Sequence, residues 1–139
     1  MPIDIECCLE VKESDGWVGN NELSELNIFA NGDSDIIFGI SKLSSNISMA
    51  GNRGLPSDIS VYTNQLLDSY RKFDKEEDNF SFDELNNFSY LNYSEVLTMN
   101  LHEHVDESSV WLKVFNIMKF KALKGYTKDN IRIIVWSHW

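Results

Sequence analysis

The sequence predicts a single α+β domain, a small, mainly antiparallel sheet formed by N- and C-terminal strands with three to four helices packed on it. Three observations lead there. The 139 residues suit one compact domain, since domains most often run about 100–150 residues. Strand-like runs sit at both ends, at Ile3 to Val11 and Ile131 to Trp136, while helical spacing dominates between them. Hydrophobic residues make up 42% of the chain, with four Trp and eight Phe, which is enough to fill a core. No internal repeat or linker divides residues 1–139.

The elements follow in order. Ile3 to Val11 is the first strand, Ser14-Asp15-Gly16 a turn, and Trp17-Val18 the start of a returning strand, a hairpin in all. Asn20 to Asp35 is polar, with Asn-rich turns around Leu26, Ile28 and Phe29. Asp35 to Leu43 is a short apolar element that periodicity leaves open between helix and strand. Ser44 to Ser57 reads as a loop. Ser60 caps a helix through Phe73, where Leu66, Leu67, Tyr70 and Phe73 fall at helical spacing. Asp74 to Asn79 is a charged exit. Ser81-Phe82-Asp83-Glu84 has the form of a capping box, and Asn92-Tyr93-Ser94-Glu95 repeats that signal and starts a helix toward Leu101. From Ser109 to Lys124, residues Val110, Trp111, Val114, Phe115, Met118 and Ala122 share one helical face, Lys113, Lys119, Lys121 and Lys124 decorate the rest, and Gly125 is a stop. After a turn at Thr127 to Asn130, Ile131 to Trp136 is a β-branched core strand.

Charge excludes one class of partner. The 22 acidic and 12 basic residues leave a formal charge of −10, and that field repels phosphate backbones, so nonspecific nucleic-acid binding is not expected. The distribution is uneven. Asp58 to Glu107 holds twelve acids and three bases, whereas Lys113 to Arg132 holds six bases and one acid. Met1 to Glu10 contains Asp4, Glu6 and Glu10 without a basic stretch, unlike a secretory signal. Apolar runs such as Ile36 to Ile40 are too short to cross a bilayer. Cys7 and Cys8 are adjacent, where a mutual disulfide is strained, so the expectation is reduced thiols in the cytoplasm and no membrane partner.

Four constellations bear on chemistry. Gly51-Asn52-Arg53-Gly54-Leu55-Pro56, ahead of the cap at Ser60, can converge backbone N–H groups on an anion, with Arg53 as a bidentate donor. A tight loop whose arginine pairs with a local acid such as Asp58 has the same sequence. His102, His104 and Asp106 would share a face on a strand and suit zinc, but the cap at Asn92 places them at a helix end, where such spacing does not converge. Asp4 and Glu6 form a carboxylate pair for acid–base or metal work, or the solvent face of an edge strand. Phe80, Phe82, Phe88, Tyr90 and Tyr93 crowd an Asn- and Ser-rich region, suited to stacking on a planar base or to pinning that segment to the core. No nucleophile elbow is present, and no metal or cofactor is implied.

Several segments taken together resemble a known family. These are Asp4-Ile5 with Leu9-Glu10 and Trp17, then Arg53-Gly54-Leu55-Pro56-x-Asp58-x-Ser60, then Ser89-Tyr90-Leu91 with Glu95, and Ile131 to Trp136. Their order resembles an uncharacterised family of small bacterial and phage proteins that open on an Asp-Ile-His strand and carry the Arg-Gly-Leu-Pro-x-Asp-x-Ser loop. This chain departs from that pattern at Glu6, where the family has His. It departs again at Asn86, Asn87 and Phe88, where the family has a His-rich stretch. The loop and the aromatics remain, which points to binding rather than catalysis.

The resulting expectation is a phage-type, non-catalytic protein that sequesters a small anionic, nucleotide-like immune signal, similar in style to viral sponge proteins. Its ligand-binding residues would be Asn52, Arg53, Gly54, Ser57 and Asp58 from the loop, Phe88, Tyr90 and Tyr93 as stacking groups, and Lys128 and Arg132 from the basic end. A homo-oligomer fits this picture, because pockets for charged ligands often form at symmetric interfaces. Two other readings stand beside it. One is an acidic DNA mimic, or inhibitor, of a host defence enzyme, and the other a metal-dependent nucleotide hydrolase using Asp4 and Glu6.

Overall fold

The computed structural model describes residues 4–29, 32–38, 53–77 and 86–138. Strands β1 (Asp4–Glu13), β2 (Gly16–Asn20), β4 (Asn86–Asn92) and β5 (Ile131–His138) form an antiparallel sheet in the order β2-β1-β5-β4, and the two-residue β3 (Ile28–Phe29) pairs with β1. The helices are α1 (Gly32–Phe38), α2 (Val61–Glu77), α3 (Tyr93–Val96) and α4 (Val110–Leu123), with 3-10 turns at Leu101–Glu103 and Lys128–Asn130. The predicted α+β class and the sheet built from both chain ends are observed.

The sheet is covered on both faces. Side chains alternate along a strand, so Ile5, Cys7, Leu9 and Val11 of β1 share a face with Ile131, Ile133 and Val135 of β5. That face packs on Trp111, Val114, Phe115 and Met118 of α4, with Tyr93 and Val96 of α3 and Ile37 and Phe38 of α1. The other face carries Cys8, Ile134 and Trp136, under Leu67, Leu66 and Tyr62 of α2 and Leu55 and Ile59 of the preceding loop. Burial on both sides explains why Ile131 to Trp136 of β5 is apolar apart from Arg132.

The caps hold the helices where the sequence placed them. The Ser60 hydroxyl accepts from the Thr63 amide at 3.1 Å and starts α2. Ser109 does the same for α4 through Trp111 at 3.3 Å. α2 runs to Glu77, beyond the expected end at Phe73. The open choice at Asp35 is helical as far as Phe38, with α1 beginning at Gly32, and the remainder of that element to Leu43 lies outside the described residues. Two elements differ from expectation. β4 occupies a stretch read only as aromatic and polar, and the helix begun at Asn92 stops at Val96 instead of reaching Leu101. Asn100, with φ of 47°, turns the chain there into the left-handed region. Ser81 to Glu84, Phe80, Gly51 and Asn52, and the side chains of Tyr70, Phe73, Asn86, Asn87, His102 and His138, lie outside the described residues. No helix among the described residues is long and apolar enough to cross a membrane.

Candidate functional site

Two places gather polar chemistry, and the first is on the α2 side of the sheet. Glu10 and Arg132 are register partners on β1 and β5, and both point to this face. Glu10 is 0% exposed and Arg132 5%. One Glu10 oxygen accepts from Arg132 Nε at 2.7 Å. The other accepts from the Ser60 amide at 2.7 Å and the Thr63 hydroxyl at 2.6 Å. The carboxylate therefore sits at the N-terminus of α2, where free amides and the helix dipole favour negative charge. Arg132 Nη2 stands 2.7 Å from the same Glu10 oxygen and also donates to the Asp58 backbone oxygen at 3.2 Å, while Nη1 donates to the Asp58 carboxylate at 3.0 Å.

Trp17 closes this cluster. Its ring lies 3.8 Å from the Arg132 guanidinium carbon, a cation–π contact, and its indole N–H donates to Asp58 at 3.1 Å. Burial works to raise the Asp58 carboxyl, but the hydrogen bond and charge of Arg132, helped by Trp17, hold it below its ordinary value. The approach of α2 is so close that Gly19 on β2 has no room for a side chain. A Cβ there would stand 2.6 Å from Ser60 Oγ and 3.0 Å from Tyr62 Cδ1.

Arg53 lies at the other end of the same loop and has a different acid. Its two terminal nitrogens grip Glu95 at 2.9 and 2.6 Å, Nη1 also reaches the Tyr90 carbonyl at 3.3 Å, and the guanidinium stands 5.3 Å over the Tyr90 ring. The hydrogen bonds to Glu95 raise the Arg53 pKa, and the same bonds lower the Glu95 carboxyl. Gly54, at φ of 81°, adopts a turn that L side chains avoid and donates its amide to the Phe88 carbonyl at 2.7 Å. The loop's arginine thus pairs with Glu95 rather than Asp58.

The second place is a groove of about 540 Å³ between α3 and α4. Tyr93, Val96, Leu97 and Leu101 line it from α3 and the turn after it, and Leu112, Phe115, Lys113, Asn116 and Lys119 line it from α4, with Glu107 just ahead of that helix. Asn92 donates its backbone amide to Glu95 at 3.2 Å at the start of α3, and the helix ends after one turn at Val96. The volume lies within the usual range for small-ligand sites, about 300–1,000 Å³.

The residues expected at a ligand site are therefore divided. Arg53 meets Tyr90 and Glu95, and Gly54 binds the Phe88 carbonyl beside them, whereas Asp58 is held apart by Arg132 and Trp17 and Ser57 is exposed on the same turn as Asp58. Phe88 is half-buried and tilted against Trp136 at 6.4 Å. Tyr93 lies on the opposite face and lines the groove. Lys128 is exposed on its 3-10 turn. Arg132 is buried in the carboxylate cluster, and Asn52 lies outside the described residues. Asp4 is exposed and Glu6 half-buried. Among the described residues no group of three His, Cys, Asp or Glu could hold a metal ion. Asp106 accepts from the Ser108 amide at 3.1 Å in a local turn.

Comparison with protein-family models, curated proteins and solved structures finds no match. The site is therefore argued from this chain's own geometry.

Sequence reasoning missed Glu10 and the two groove lysines. Glu10 did carry a signal: an acid flanked by apolar residues in a strand, ahead of an arginine in the closing strand. Lys113 and Lys119 read only as the wet side of a helix, because the short α3 that forms the groove with them is not visible in the periodicity.

Proposed function

We propose that the chain is a non-catalytic binding protein for a small anionic, nucleotide-like ligand, with the α3–α4 groove as its site. One observation carries this reading: Lys113 and Lys119 line the same groove as the edges of Tyr93 and Phe115 and the side chains of Val96, Leu97 and Leu112. Neither lysine has an ion-pair partner among the described residues. Apolar walls suit a flat ring, and two ammonium groups suit a phosphate. Arg53 and Arg132, expected to take the phosphate, are instead engaged by Glu95, Glu10 and Asp58. The ligand is bound and released unchanged, as expected of a protein that sequesters a signal.

The test is calorimetric titration with a panel of linear and cyclic nucleotides, alongside mass spectrometry of small molecules released on denaturing the purified protein. Lys113→Ala/Lys119→Ala should abolish binding, and Arg53→Ala should retain it. Binding that survives the lysine changes but is lost with Arg53 would return the site to the loop. A protein that binds no nucleotide and releases none defeats the proposal.

A further inference from the structure

α4 is apolar on two sides, and only one of them faces the core. Trp111, Val114, Phe115 and Met118 are buried. Phe120 and Leu123 are also on α4, yet they are 60% and 72% exposed. At about 100° per residue, Phe120 and Leu123 lie on the same side as the groove-lining Leu112, Asn116 and Lys119, so that side of α4 continues onto them along one stripe. Two large apolar side chains a turn apart differ from the singly scattered ones that any surface carries.

We infer that this outer stripe is a docking surface for an acidic, amphipathic helix of another protein. The inference goes beyond ligand binding and does not depend on it. Charge selects the occupant. α4 contains Lys113, Lys119 and Lys121 and no acid, with Lys124 directly after it. Lys121 is tied to Glu22, whereas Lys119 and Lys124, both exposed, carry no ion pair among the described residues. Exposed charges beyond about 8 Å are largely screened at physiological salt, so these lysines act locally even though the chain totals −10. An apolar stripe flanked by cations fits a helix with apolar anchors and a Glu- or Asp-rich flank. A second copy docked through the same stripe would set lysine against lysine. An anionic lipid surface would gain only two anchoring apolar side chains, Phe120 and Leu123.

The experiment measures fluorescence anisotropy with a set of labelled helical peptides. They share one leucine face, and their polar positions are all Glu, mixed, or all Lys. The proteins are the wild type, Phe120→Ser/Leu123→Ser and Lys119→Glu/Lys124→Glu, and all changed positions are exposed. The wild type should bind the all-Glu peptide and ignore the all-Lys one. The apolar double variant should weaken that binding by about tenfold or more, with nucleotide titration and Tm unchanged. The charge-reversed variant should switch preference to the all-Lys peptide. No binding by any peptide, or affinity indifferent to peptide charge, overturns the inference. A wild-type dimer that Phe120→Ser/Leu123→Ser converts to monomer overturns it as well, by assigning the stripe to a second copy.

Discussion

Glu10 and Arg132 face each other across β1 and β5 at 2.7 Å, and the carboxylate has no contact with water. This pair ties the two chain termini to the start of α2, because the same carboxylate also binds Ser60 and Thr63. Removing one partner leaves the other charged and buried. Glu10→Ala or Arg132→Ala should each cost about 3–5 kcal/mol, read from urea unfolding. The double change Glu10→Leu/Arg132→Met should cost clearly less than the two singles combined. Additive losses would mean that the residues act separately.

Arg53 and Glu95 should behave differently, being only about a third exposed rather than fully buried. Arg53→Ala should cost about 0.5–1 kcal/mol and lose most of that effect in high salt. Its pH signature has a definite sign. Arg53 lowers the folded Glu95 carboxyl below its ordinary value of 4.5, so the unfolded chain takes up the proton first. The stabilisation is complete above that ordinary value and disappears as pH falls through the lowered folded one. Melting temperatures across the acid range should therefore converge for wild type and Glu95→Gln. A gap that persists in strong acid would assign the effect to packing.

Gly19→Ala tests the close seating of α2. The added methyl meets Ser60 Oγ at 2.6 Å and Tyr62 Cβ at 3.1 Å, so the helix start must shift. A loss of about 1–3 kcal/mol is expected, together with faster amide exchange at Ser60 and Thr63. Val18→Ala, at an exposed neighbour, should stay within about 0.5 kcal/mol.

The two cysteines give a readout of opening. Burial pushes the Cys8 thiol up to about 11 and raises Cys7 as well. The thiolate is the reactive form, so native protein should resist a thiol reagent at pH 8. Labelling should accelerate in the Glu10 and Arg132 variants in proportion to their loss of stability. Rapid labelling of the wild type would contradict the burial of this strand.

Residues with local signals were legible in the sequence. Ser60 and Ser109 sit directly before periodic apolar runs, and the structure uses both as caps. β5 announces itself through Ile131, Ile133, Ile134 and Val135. β4 was hidden because Asn86, Asn87 and Ser89 have weak strand propensity, and its place is set by pairing with β5, a relationship across about forty residues. The destinations of Arg53 and Arg132 were hidden for the same reason. An arginine looks the same in a sequence whether it awaits a phosphate or already holds a carboxylate. The acidic middle held part of the answer: Asp58, expected at the ligand site, joins Glu10 in engaging Arg132, and Glu95 engages Arg53.

The hydrogen bond from Gly54 to the Phe88 carbonyl also bears on aggregation. Among the described residues β4 is the last strand of the sheet on its side, and a bare outer strand is a template on which another chain can add. Gly54 and the Arg53 side chain occupy the Phe88 and Tyr90 carbonyls. The loop therefore covers this stretch of strand, and loosening it would free both carbonyls to pair with another chain.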